Sequence, residues 1–389
     1  MSFFNFVKAI MCVFLCVSII STGSAFSISA IETENNINAQ FDCKSAILME
    51  ASTGTVLYEY NPDKPLPPAS VTKIMTLLLV MEEIDKGNLS YTDTVTTSAY
   101  AASMGGSQIF LKEGEQMTVE DMIKSVVISS ANDAAVALAE HISGSEEMFV
   151  QRMNQKAKEL DMDNTNFENT NGLDDTAANH VTSARDIAIM SKELIKHKDV
   201  LKYSSTWMDS IRDGAFGLTN TNRLVRFYQG ATGLKTGSTS KAKFCVSATA
   251  ERNGMHLICV VMGAPSSDVR NSIATQLLNW GFANFELYTD KSEKMKSIKV
   301  TSGVDNECQI KSSDYTVVVH KGESNKIKKI YNIPDKIKAP IKNGDEIGVI
   351  EYRLNNKIIG KSSVISTVNI EKIDYLTLFV RILSKFLIK

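Results

Sequence analysis

Paired cysteines are lacking from this chain. Its 6 cysteines include no C-x-x-C pair, so zinc-ribbon and dithiol redox chemistry have no support. Cys12 and Cys16 lie in the N-terminal apolar run, while Cys43, Cys245, Cys259 and Cys308 are scattered. Cys245 and Cys259 sit inside apolar strand-like runs, where cysteine is a small buried hydrophobe; a disulfide is the alternative in an exported chain. Charge of one sign is lacking too. A formal net charge of −2 gives no global reason to expect nucleic acid as a partner. There is no internal repeat. The two apolar segments that stand out, residues 9–20 and 375–389, are both too short to span a bilayer.

What is present is ordinary globular composition, 43% hydrophobic and 22% charged over 389 residues, enough for one large domain and a smaller one. Lys8 flanks the apolar run Ala9 to Ile20, and Ser21-Thr22-Gly23-Ser24-Ala25 supplies small residues for cleavage. Residues 1–25 are therefore expected to be a signal peptide, with a second possible cut at 30 and an uncleaved anchor as the alternative. Either way the rest is exported.

Residues 45–50 and 55–60 read as two strands around Ala51-Ser52-Thr53-Gly54. A helix is expected over residues 70–86, stopped by Gly87, and others after Thr118, over 133–142 and over 183–197. Two strands flank Asn253-Gly254, a two-residue hairpin signature, and residues 267–285 read as an amphipathic helix. Strands at both ends with helices between predict an α/β sandwich built on an antiparallel sheet. Lysine-rich alternating strands over 290–366 predict a small all-β domain.

The chemistry-bearing residues begin at Pro67-Pro68-Ala69-Ser70-Val71-Thr72-Lys73. Ser70 and Lys73, three apart at a helix start, share one face. The following Ile74-Met75-Thr76-Leu77-Leu78-Leu79-Val80-Met81 is apolar nearly all round, so the helix is buried. Burial lowers the Lys73 pKa and makes a neutral amine accessible, a general base beside a nucleophile. A lysine snorkelling to solvent is the alternative that this tetrad alone leaves open. Ser130-Ala131-Asn132 follows between two helices, and Lys235-Thr236-Gly237 before a strand run. S-x-x-K, S-x-N and K-T-G in this order suit acyl transfer. Ser70 is the nucleophile, Lys73 the base and Ser130 the proton relay to the leaving amine, with Asn132 a further catalytic residue. Lys235 and Thr236 hold a substrate carboxylate, Gly237 permits close backbone approach, and the N–H groups of Ser70 and Ser238 form the oxyanion hole. None of the five histidines stands near these motifs in sequence, which weakens a Ser-His-Asp reading.

On these residues the chain resembles the low-molecular-mass penicillin-binding proteins, the serine D-alanyl-D-alanine carboxypeptidases. Leu57-Tyr58-Glu59 through Thr76, Gly106-Ser107 with Phe110-Leu111-Lys112, Asn171-Gly172-Leu173-Asp174 with Ser183-Ala184-Arg185-Asp186, and Asn220-Thr221-Asn222-Arg223-Leu224 carry the similarity further. The middle motif S-A-N, Asn171 where the family has His, and Ser238 after K-T-G are departures. The resemblance implies a β-lactamase/transpeptidase-like catalytic domain over 41–287, the β-domain over 290–366, and an amphipathic helix over 370–389. It also implies removal of the terminal D-alanine from peptidoglycan stem peptides through a Ser70 acyl-enzyme, acylation by penicillin and other β-lactams, and no metal or cofactor. By position Arg270 matches an arginine that helps bind the terminal carboxylate, against the alternative of a solvated helix-surface residue. Arg185 is expected to be an ion-pair residue. In the tail, Leu376, Phe379, Leu383, Phe386 and Leu387 form one stripe with Arg381, Lys385 and Lys389 away from it, as in a helix on an anionic membrane surface; packing on its own domain is the alternative. A D,D-endopeptidase and a β-lactamase with Glu168 as water activator are the rival activities.

Overall fold

The computed structural model describes residue 37, residues 41–174 and residues 177–387, the last three by their backbone alone; the expected signal peptide lies outside them. Five antiparallel strands, β1 (Ser45–Glu50), β2 (Val56–Tyr60), β3 (Ala231–Thr239), β4 (Lys243–Arg252) and β5 (Met255–Ala264), form the central sheet in the order β2-β1-β5-β4-β3. Successive residues of a strand face opposite sides. Ile47, Met49, Ile258, Val260 and Met262 accordingly enter one core, and Ala46, Leu48, Leu257, Cys259 and Val261 the other. Both faces being buried, β1 and β5 carry continuous apolar stretches, residues 46–49 and 257–262. The β4–β5 turn has Asn253 and Gly254 at φ 51° and 78°, the left-handed pair that matches strand twist.

One face is covered by α1 (Lys73–Asp85), α2 (Val119–Ile128), α3 (Asn132–Ser143), α4 (Glu146–Glu159) and α5 (Ala184–Leu194). The other is covered by α6 (Ser267–Asn284). Thr118, Ser145, Ser183 and Ser266 each cap a helix by accepting a backbone N–H, which satisfies one otherwise orphaned donor. Gly281 lets α6 lie close on the sheet: a Cβ there would sit 2.7 Å from Leu257 and 2.8 Å from Leu48.

The sequence reading passed over α4 because its surface is mostly polar; only Phe149, Met153 and Ala157 are buried, spaced by four on one narrow stripe. It also missed the helix Lys198–Ser204 and the hairpin of Met208–Ile211 with Phe216–Thr219. Lys235-Thr236-Gly237 lies inside β3 rather than before a strand.

Beyond α6 the strand β6 (Phe285–Asp290) pairs with β7 (Tyr315–His320). Then β8 (Lys328–Asn332), β9 (Glu346–Leu354) and β10 (Lys357–Ser366) form a meander, with residues 310–312 completing a four-stranded sheet. This part has its own core of Ile298, Val300, Ile310, Ile350, Tyr352, Val364 and Ile370. β6 spans the expected domain boundary: Phe285 belongs to the core under α6, whereas Tyr288 packs on the core of the β-meander. Cys43, Cys245, Cys259 and Cys308 are free thiols, which excludes the disulfide alternative for them.

The last helix, α7 (Tyr375–Leu387), leaves Leu376, Phe379, Val380 and Leu383 exposed. Arg381 departs from expectation. It is turned back to the Gly303 and Val304 carbonyls and Asn306 Oδ1, because those oxygens at a loop lie within its reach. No described helix is long and apolar enough to cross a membrane.

Candidate active site

Pro68 leads into a single 3-10 turn, Ala69–Thr72, that runs directly into α1. Ala69 is held at φ 49°, an unfavourable backbone region for a residue with a Cβ. The turn presents Ser70 half-buried at the cleft while Lys73, one turn on, is fully enclosed.

The Lys73 amine meets three oxygens: Ser70 Oγ at 2.9 Å, Asn132 Oδ1 at 2.6 Å and the Asn171 carbonyl at 2.8 Å. Burial pushes its pKa well below the usual lysine range; Lys235 adds to the fall, and Asp133 opposes it. Keeping a lysine neutral at pH 7 costs about 5 kcal/mol. The helix carries seven buried apolar side chains, Ile74, Met75, Leu77, Leu78, Leu79, Val80 and Met81, each contributing roughly 1.5–3 kcal/mol. Core packing therefore wins, and the amine adapts. A neutral amine has two N–H donors and one lone pair. Asn132 Oδ1 and the Asn171 carbonyl can only accept, so they take both donors and leave the lone pair facing the Ser70 hydroxyl. That geometry can remove the Ser70 proton.

Asn132 is fixed from behind. Its Nδ2 donates to the Gly105 carbonyl at 2.6 Å and its backbone N–H to the Ser107 carbonyl at 2.7 Å. The same loop is tied down by the buried Asp133 carboxylate, which accepts the N–H groups of Ile109 and Leu111. Ser130, one turn before, is buried with φ 64°, a second strained non-glycine backbone at the site.

Opposite stands β3, the edge strand. A Cβ on Gly237 would meet the Pro68 carbonyl at 2.8 Å, the Ser70 nitrogen at 2.8 Å and the Val71 nitrogen at 2.9 Å. Only glycine lets the strand pass this close to the nucleophile's turn, and the adjacent Ser238 is exposed. Lys235 is 1% exposed; burial first, and the charge of Arg270 second, bring its pKa down to about 7. Its ammonium donates to the Thr236 carbonyl, leaving donors over. Thr236 Oγ1 donates to Thr221 Oγ1. Thr221 N–H in turn donates to the Ile128 carbonyl, so the 220–224 segment joins the strand to the end of α2.

Arg270 is not the solvated surface residue of the alternative reading: it is 4% exposed, donating to the Cys245 carbonyl and Asn271 Oδ1. With Lys73 neutral, Lys235 and Arg270 are the two buried cationic groups at the cleft, and among the described residues neither makes a salt bridge. Such a site favours an anion. Arg185 pairs with Glu59 and Asp63 as expected. Among the described residues no cluster of three or more His, Cys, Asp or Glu is placed to hold a metal ion.

The sequence reading missed how the third side of the Lys73 cage is built. Asn171 contributes its backbone carbonyl, not its side chain, so its difference from the family residue leaves that contact intact. Gly172, at φ 85°, packs so tightly that a Cβ would lie 1.9 Å from the Ala69 carbonyl oxygen. A histidine does stand at the site: His180 Nε2 lies 2.8 Å from Thr72 Oγ1, brought there by a loop return that sequence separation hides. Glu168 is exposed and accepts the Asn179 N–H.

The two-faced sheet and a serine presented at its edge define a class, the serine hydrolases of transpeptidase-like α/β fold. Comparison with known proteins makes it specific. The peptidase S11 family, described as D-alanyl-D-alanine carboxypeptidase, matches residues 31–266. The C-terminal domain of penicillin-binding protein 5 matches residues 282–372. The chain is 44% identical over 347 residues to D-alanyl-D-alanine carboxypeptidase DacF of Bacillus subtilis, covering 87% of this chain and 89% of that one. Penicillin-binding protein 5 of Haemophilus influenzae superposes with a TM-score of 0.76 at 32% identity, over 86% of this chain and 99% of that one. Penicillin-binding protein D2 of Listeria monocytogenes, solved in its ampicillin-bound form, has a TM-score of 0.58 at 32% identity, over 63% and 99% of the two chains. The chain belongs to the peptidase S11 family, the D-alanyl-D-alanine carboxypeptidases, and is a hydrolase of that activity.

Proposed function

We propose that Ser70 carries the reaction with Lys73 as its base, on peptidoglycan stem peptides that end in D-alanyl-D-alanine. The observation that carries this reading is the Lys73 amine, its two donors engaged and its free position turned to Ser70 Oγ. Ser70 Oγ attacks the carbonyl between the two D-alanines as its proton passes to Lys73 Nζ. The oxyanion is met by the N–H groups of Ser70 and Ser238. The carbon–nitrogen bond then breaks, with the proton returned through Ser130 to the leaving amine of D-alanine. Water hydrolyses the ester on Ser70 by the same proton path in reverse. Asn132 orients Lys73. Lys235 and Thr236 take the substrate's terminal carboxylate, with Arg270 strengthening the positive field from behind β4. A β-lactam acylates the same serine.

The exposed apolar stripe of α7 supports a helix lying on a membrane surface, with export by the N-terminal signal peptide placing the catalytic domain over the cell wall. The domain limits 41–287, 290–366 and 370–389 belong to the same reading.

Mass spectrometry after penicillin treatment tests the chemistry. One covalent adduct mapped to Ser70, absent from Ser70→Ala, is expected. An adduct on another residue, or one that survives Ser70→Ala, overturns it.

A further inference from the structure

The mechanism gives no part to His180, a buried imidazole beside the nucleophile's turn. Its bonds define its protonation. Nδ1 is 3.0 Å from the Glu168 backbone nitrogen, whose N–H can only donate, so Nδ1 must be bare. The ring proton then sits on Nε2 and is donated to Thr72 Oγ1 at 2.8 Å. Thr72 Oγ1 in turn donates to the Ala69 carbonyl at 2.8 Å. The chain of donors runs one way, from Glu168 N–H through the ring to the residue just before Ser70. Phe167 sits edge-on to the imidazole at 5.7 Å, and burial lowers the ring's pKa to about 4. The imidazole therefore stays neutral and in one tautomer at neutral pH.

Both ends of this chain matter to catalysis. At one end is Ala69, whose φ of 49° sets the direction of the Ser70 turn. At the other is the loop that carries the Asn171 carbonyl to Lys73. That loop is also held by Thr76 Oγ1, donating to the Thr170 carbonyl at 2.6 Å. It is held again by Glu146, which accepts both the N–H and the hydroxyl of Thr170. These bonds fix the loop to α1 and α4. Among the described residues, only the His180–Thr72 link ties it to the strained residue preceding the nucleophile by side chains.

We propose that His180 is a positioning residue that locks the Lys73-binding loop to the Ser70 turn through Thr72 Oγ1, holding nucleophile and base in register. It acts through Thr72 and touches neither Ser70 nor Lys73. The inference rests on the reading of Ser70 and Lys73 as nucleophile and base.

The test compares full-length His180→Ala, Thr72→Val, Thr72→Ser and the double variant His180→Ala/Thr72→Val. Two rates are measured: D-alanine release from a diacetyl-L-lysyl-D-alanyl-D-alanine peptide, and acylation by a fluorescent penicillin. Misplacement of reacting groups by about 1 Å costs on the order of 10²-fold, so kcat and the acylation rate are expected to fall ~10- to 100-fold in His180→Ala, with KM within about threefold. Thr72→Val should lose as much, Thr72→Ser far less, and the double variant no more than either single one, since one link cannot be broken twice. Imidazole nitrogen NMR of the intact protein should show a bare Nδ1 and a protonated Nε2. Acylation within threefold of wild type in folded Thr72→Val, single losses that multiply in the double variant, or a protonated Nδ1 would each overturn the proposal. An adduct persisting in Ser70→Ala would instead overturn the nucleophile assignment, leaving the NMR result to stand on its own.

Discussion

Replacing Gly172 by alanine tests whether backbone contact, rather than side-chain chemistry, sets the geometry of the base. The new Cβ would lie 1.9 Å from the Ala69 carbonyl oxygen, 2.3 Å from its carbon and 2.8 Å from Thr72 Oγ1. Ordinary contact begins near 3.4 Å, so loop and turn must separate by about 1.5 Å in a tightly packed interior. The two closest atoms are backbone, so no flexible side chain absorbs the worst of the clash. The φ of 85° adds about 1–2 kcal/mol for any residue with a Cβ, and overpacking about 1–3 kcal/mol more. A destabilisation of about 3 kcal/mol is expected, a fall in Tm of roughly 6–12 °C for a domain of this size. The consequence for activity is larger. The Asn171 carbonyl, 2.8 Å from Lys73, moves with its neighbour, and a shift on this scale costs on the order of 10²-fold in kcat. Thermal denaturation gives the first quantity, and D-alanine release at 25 °C, where the variant remains folded, gives the second. Gly172→Ala with kcat within threefold of wild type would refute the claim that this approach holds the base in place.

Lys73→Met, similar in length and without the amine, should fold and yet lose acylation by penicillin by a factor of ~10² or more, as removal of a general base requires; intact-mass kinetics measures it. Lys235→Gln should raise KM for the peptide carboxylate more than it lowers kcat, which steady-state kinetics separates. The pH profile of kcat/KM should reflect two lysines of opposite requirement. Lys235 must be protonated to hold a carboxylate, so activity declines as pH rises through about 7; Lys73 must be neutral, so activity declines on the acid side of a pKa well below the usual lysine range. An alkaline limb near pH 10 in place of one near 7 would contradict the assignment to Lys235. Leu376→Asp with Phe379→Asp should weaken binding to vesicles containing anionic lipid, read by co-sedimentation, without altering peptide hydrolysis.

The central sheet and the buried helix of the nucleophile were legible because both carry strong periodic signals. β1 and β5 carry continuous apolar stretches, and α1 is apolar nearly all round. The cap at Thr118 and the Asn253-Gly254 turn announced themselves by residue type. The motif residues Ser70, Lys73, Asn132, Lys235 and Gly237 were all named from sequence. Their mutual approach was not, since it depends on two close backbone passages, at Gly172 and Gly237, for which a lone glycine letter is a faint signal. His180 escaped notice because nothing local to it suggests a partner more than a hundred residues earlier. Arg270 was read as a surface or ligand-binding side chain because a helix-borne arginine gives no hint that its guanidinium turns inward to a strand carbonyl. The polar helix α4 lacked the broad apolar stripe that betrays a helix. Arg381 shows the limit of amphipathic reasoning: it lies off the apolar stripe, yet loop carbonyls capture it.

The order of strands has a consequence for how this protein acquires its activity. β1, among the first described residues, is not an edge: it lies between β2 and β5, with Ser45 beside Met262. More than two hundred residues must therefore be in place before the sheet can close, a long loop closure that slows folding and leaves the apolar strands unpaired meanwhile. Until β3 docks, the turn bearing Ser70 has no Gly237 strand against it, and a Lys73 left in water is an ordinary ammonium. A chain still extended or half-folded thus holds a serine no more reactive than any other. Reactivity arrives only when the central sheet closes, so the fold itself delays the chemistry until the catalytic domain has formed.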